Sequence, residues 1–183
     1  MPQAILIAGG AQRFAVTIDD FRRYLEQAGI GRKRIREYRS AYLDEGVLEA
    51  RLSIAASERT RSPLVIAFCG HGGTHGWAFD DVRSFDYPRL ADALAPGRRP
   101  VMVVNDCCHA MALAEAFEKR GLSKDRFSLI AAAEKDETTR GGLLPLVIDN
   151  WSQCKPNRFG PELRWGAKND HLFFPVSIDT KTA

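Results

Sequence analysis

Short uninterrupted apolar runs alternate along this chain with stretches of helical periodicity, and nothing else constrains the fold as strongly. Residues 4–8, 64–68, 101–104 and 127–133 are too short for buried helices and are predicted as buried strands. A weaker strand is expected at 35–38, a hairpin arm at 77–79 and a last strand at 171–176. Helices are predicted between them. The first spans 17–28, with Thr17 as N-cap, Phe21, Tyr24, Leu25 and Ala28 on one face, and Gly29 and Gly31 as the stop. Others follow at 45–58, 87–94, 110–120 (ended by Gly121) and 143–153, where Pro145 falls in the first turn. Residues 155–170 read as a long surface loop. Strands alternating with helices imply an α/β domain: a mostly parallel central sheet with helices on both faces, in three layers. The 183 residues suit one such domain over 1–183.

Composition removes several function classes. Hydrophobic residues make up 45% of the chain and charged ones 27%, as in a soluble globular protein. A net charge of +3 is too small to argue for a nucleic-acid or membrane partner, and the basic run at 31–37 reads as a charged turn. The apolar run near the N-terminus is short for a signal peptide, and no stretch approaches the roughly 18 apolar residues of a membrane span. Cys69, Cys107, Cys108 and Cys154 contain no CxxC pair, and adjacent cysteines bond each other poorly. They read as thiols of a reducing compartment, so a cytoplasmic location is expected. A zinc site from Cys69, His71, Cys108 and His109 has irregular ligand spacing, and no metal is expected.

Two of the apolar runs end in reactive clusters: LVIAFCGHGG over 64–73 and VMVVNDCCHA over 101–110. In open α/β sheets, ligands bind outside the carboxyl ends of the strands. The 37 residues from His71 to Cys108 leave room for a hairpin, a helix and a return strand. The two strands can then lie side by side, about 4.8 Å apart. A cysteine between a strand end and a helix start is favoured as thiolate, and a nearby histidine can take its proton and later protonate a leaving amine. Gly72, without a side chain, lets a backbone N–H approach a reacting carbonyl. With the N–H of Cys108 it can form an oxyanion hole.

The paired strings GHGG and DCCH, in this order and each after a buried strand, resemble the caspase-like cysteine peptidases, and most of all the metacaspases and their bacterial relatives. The resemblance runs from Ala4 to about Thr138. It implies a caspase-hemoglobinase-like fold and a cysteine endopeptidase acting on proteins or peptides through a thioester. His71 would be the base, Cys108 the nucleophile, and Gly72 and Cys108 the oxyanion donors. It further implies that Asp106 forms the floor of a pocket for a basic side chain, with Glu134, Asp136 and Glu137 lining the cleft, so that cleavage follows Arg or Lys. Some family members bind calcium, for which Asp80 and Asp81 are the candidates here, although the usual acidic spacing is missing. Ala110 and Met111 stand where many members have Ser-Gly, and Gly9, Gly10 and Ala11 stand where some carry a second pocket aspartate.

Plainer readings stand beside these. Free cysteine is most often a small core residue, and Cys69 and Cys107 are assigned that role. Asp106 has two open readings, pocket floor or cap of the helix after it. Glu134, Asp136 and Glu137 can be a solvated loop. The same fold can also serve as a catalytically inactive interaction module. Oligomeric state is left open.

Overall fold

The structure, a computed structural model, describes residues 3–122, 126–139 and Leu144. The predicted helix at 143–153, the loop at 155–170, the strand at 171–176 and Cys154 lie outside the described residues, Leu144 excepted. Among the described residues five strands form one sheet: β1 (Gln3–Ala8), β2 (Ile35–Arg39), β3 (Leu64–Cys69), β7 (Val101–Asp106) and β8 (Phe127–Ala131). Their order is β2-β1-β3-β7-β8, and every described pairing is parallel. Between β3 and β7 the chain makes a small antiparallel sheet of β4 (His71–Gly72), β5 (Gly76–Ala78) and β6 (Ser84–Asp86).

Among the described residues, four helices cover the parallel sheet. On one face α1 (Gln12–Gln27) inserts Phe14, Ile18, Phe21 and Leu25, a stripe at helical spacing, against Leu6, Ala8, Val65, Ala67 and Val104. On the other, α2 (Glu45–Ser57), α3 (Tyr87–Leu94) and α4 (Ala112–Lys119) bury Leu48, Leu52, Leu90, Leu113 and Phe117 against Ile5, Ile66, Val103 and Leu129. Strands buried on both faces are continuously apolar for this reason, β3 along its whole length. Among the described residues no helix is long and apolar enough to cross a membrane.

The helix ends follow local chemistry. Asp44 caps α2, its side chain accepting the N–H of Val47 at 2.9 Å. Gly29 and Gly121 end α1 and α4 at positive φ, +94° and +66°. In each case the next residue's N–H reaches back five positions, Ile30 to Leu25 and Leu122 to Phe117, which is the Schellman arrangement. One expectation fails. Thr17 is not an N-cap: α1 starts at Gln12 after Ala11, and the Thr17 hydroxyl donates to the Arg13 carbonyl inside the helix. The apolar stripe extends back through Ile18 to Phe14, and burial of that stripe outweighs the cap preference of one threonine.

Candidate active site

The pairing of β3 with β7 sets the geometry. Leu64 lies opposite Val101, and the same offset holds through to Cys69 opposite Asp106. Past that pair the two chains stay in touch, Gly70 N–H donating to the Asp106 carbonyl at 3.2 Å. His71 and Cys108 each lie two residues past this facing pair, Cys69 and Asp106. Both strands run beyond their apolar runs, taking Cys69, Asn105 and Asp106 into the sheet.

Gly72 packs directly on the cysteine turn. A Cβ at this position would lie 2.6 Å from Cys107 Sγ and 2.7 Å from the Cys108 carbonyl oxygen, closer than any side chain tolerates. The β4–β5 hairpin, with Gly72 opposite Trp77, is thereby held against residues 107–108. His71 is exposed, and its ring meets Phe14 of α1 edge-on at 5.1 Å.

Cys108 is half-buried at the head of a turn that precedes α4. Among the described residues its thiol is engaged by Thr139 rather than by His71. The Thr139 N–H donates to Sγ at 3.3 Å, and Sγ donates to the Thr139 carbonyl at 3.5 Å. His109 follows with a left-handed backbone, φ 55°, unusual for a residue with a side chain. Its N–H donates to the Glu137 carbonyl, and its Nδ1 lies 2.8 Å from the Lys135 carbonyl. Glu134 and Glu137 therefore come to the site in a loop whose main chain braces the cysteine turn. Glu134 is half-buried, and Asp136 and Glu137 are exposed.

Asp106 is 1% exposed, on the α1 side of β7. Its Oδ2 accepts the Leu144 N–H at 3.2 Å and faces the Cys69 thiol at 3.8 Å. It does not cap α4, whose N-cap is Met111 with no side-chain bond. Burial first, and the Asp106 carboxylate next, push the Cys69 thiol up from 9.0 to about 12. Burial likewise pushes the Cys107 thiol up. Both are neutral, inert core residues near neutral pH. Asp80 is committed to the segment after it: the Arg83 guanidinium first, then the backbone N–H groups of Arg83 and Val82, hold its carboxyl low, at about 2. Among the described residues no three His, Cys, Asp or Glu side chains gather as a metal site.

Sequence reasoning missed the residue beneath the turn. Asn105 is fully buried and bonded to Trp77, Tyr87, Cys107 and Ala110. The one local signal was an asparagine directly after the apolar run 101–104.

No protein-family model and no curated protein matches the chain. Solved structures do. Caspase-1 from Spodoptera frugiperda superposes with a TM-score of 0.55 at 14% identity, over 83% of this chain and 69% of that one. Raptor from Chaetomium thermophilum gives a TM-score of 0.50 at 14% identity, over 75% of this chain and 16% of that much longer one. At such identity the likeness concerns the fold alone: this chain has a caspase-like fold, a parallel five-stranded sheet between helical layers.

Proposed function

We propose that the chain is a cysteine endopeptidase that cleaves proteins or peptides after Arg or Lys, with His71 and Cys108 as its dyad. What supports the reading is the β3–β7 pairing, which brings side by side the two strand ends that lead into His71 and Cys108, with Gly72 packed on the cysteine turn. Cys108 Sγ gives its proton to His71 and attacks the scissile carbonyl. The oxyanion is held by the N–H groups of Gly72 and Cys108. His71 returns the proton to the leaving amine as the C–N bond breaks, leaving a thioester. Water, deprotonated by His71, then hydrolyses the thioester and restores the thiol. For substrate to reach Sγ, the Thr139 main chain has to give way.

The basic preference rests on Asp106. A guanidinium or ammonium entering there would replace the Leu144 N–H on Oδ2 and bring a full opposite charge to the carboxylate. Fluorogenic peptides ending in Arg, Lys or Asp test this. The expected outcome is hydrolysis of the first two only, none by His71→Ala or Cys108→Ala, and loss of the basic preference in Asp106→Ala. Preference for Asp would reverse the specificity claim. A second reading, an interaction module on the same fold, draws on the thiol's bonding to Thr139. Under it, both dyad variants would keep the protein's activity in cells.

A further inference from the structure

One buried side chain touches the scaffolds of both dyad residues. Asn105, the penultimate residue of β7, is 0% exposed. An unpaired amide there would be destabilising, yet all four of its bonding positions are filled. Oδ1 accepts from Trp77 Nε1 at 2.7 Å and from Cys107 Sγ at 3.3 Å. Nδ2 donates to the Ala110 carbonyl at 2.9 Å and to the Tyr87 hydroxyl at 3.3 Å. An indole N–H only donates and a carbonyl only accepts, so these two partners fix which way the amide faces.

The partners matter because of what they carry. Trp77 is the cross-strand partner of Gly72, next to His71. Ala110 closes the turn that begins at Cys107 and holds Cys108. Trp77 is itself locked by stacking on Phe68 of β3, centroids 4.8 Å apart. A rigid, fully satisfied amide thus joins the histidine hairpin to the cysteine turn. We propose that Asn105 is the positioning residue of the dyad, setting the approach of His71 to Cys108 through Trp77 on one side and Ala110 on the other. The proposal rests on the reading of those two residues as a dyad; Asn105 itself touches neither substrate nor reacting atoms.

The test is Asn105→Leu, which keeps the branched outline but not the amide, together with Trp77→Phe, which keeps a stacking ring but loses the N–H and part of the indole's volume. Two readouts are taken on the purified chain. The first is kcat and KM on an Arg-ending peptide. The second is the rate of iodoacetamide labelling at Cys108, with and without His71→Ala. Asn105→Leu should lower kcat roughly tenfold to a hundredfold, as sub-ångström to ångström misplacement does, with KM held within about twofold. Trp77→Phe should lower kcat by less, in the same direction. His71→Ala should slow labelling in the native background and leave it unchanged in Asn105→Leu. A folded Asn105→Leu with native kcat overturns the proposal. If that variant does not fold, Trp77→Phe decides alone, and a native kcat there overturns it too. If the native chain cleaves no peptide, the peptidase reading fails, and the labelling cycle still judges the positioning role. Loss of the His71 effect in Asn105→Leu upholds it, and absence of any His71 effect in the native chain overturns it.

Discussion

At the scale of single residues, the site divides into positions that local strings announce and positions that only packing reveals. His71, Gly72 and Cys108 belong to the first kind, because reactive residues directly after apolar runs already imply a strand-end cleft. Asn105 belongs to the second. Besides Cys107, two residues on, its partners arrive from positions 5, 18 and 28 residues away, and no reading of neighbouring letters gathers them. Gly72 gives a steric prediction. Gly72→Ala puts a methyl group 2.6 Å from Cys107 Sγ and forces the hairpin off the cysteine turn. Peptide hydrolysis should fall about a hundredfold while the far-ultraviolet circular dichroism stays native; an active Gly72→Ala would mean that hairpin and turn are not coupled. The cysteines give a chemical one. Cys69 and Cys107 are buried with thiols pushed upward, whereas Cys108 is half-buried at the turn. Iodoacetamide at neutral pH, mapped by mass spectrometry, should mark Cys108 well ahead of the other two, and equal labelling of Cys69 would contradict the site described.

Elements were legible in kind and blurred at their ends. β3 and β7 run one and two residues past their apolar runs, because a central strand has neighbours for its N–H and C=O groups whatever its side chains are. This is how Cys69 and Asp106 become facing ends of paired strands. α1 begins five residues before the predicted start because Phe14 and Ile18 continue its buried stripe. The burial of Cys69 at the end of β3 has a consequence for stability against pH. Its folded value is raised from 9.0 to about 12, so between these limits the unfolded chain gives up a proton that the folded chain keeps. The stabilisation is complete below the ordinary thiol range and is lost as pH rises toward about 12. Cys69→Ala removes that contribution. Its melting temperature should lie below that of the native chain at pH 8, and the gap should close steadily by pH 11. A gap that stayed constant would show that the thiol titrates alike in the folded and unfolded chain.

For the whole molecule, alternating runs were enough to give the class, a parallel sheet between helical layers, but not the strand order. That order depends on which strands meet after chain reversals, and the outward path from β1 to β2 and the return to β3 leave no mark in local periodicity. The finished sheet has two ends with different work. The carboxyl ends of β3 and β7 carry His71 and Cys108, and the opposite end is tied together by Arg99. Its side chain is 0% exposed. The guanidinium donates to Gln3 Oε1 at the start of β1, to the Ala55 carbonyl and Glu58 Oε2 at the end of α2, and to the Ser62 and Pro63 carbonyls leading into β3. Three main-chain oxygens would lose a buried donor in Arg99→Met, at about 1 kcal/mol or more each, so the variant should unfold about 3 kcal/mol more easily. Denaturant titration should move the midpoint with little change in slope. Because the strands themselves stay paired and the lesion lies a full strand length from the cysteine turn, kcat/KM per folded molecule should equal that of the native chain. A loss of activity under conditions where Arg99→Met is fully folded would mean that the sheet transmits strain from one end to the other, and that the two ends are not independent.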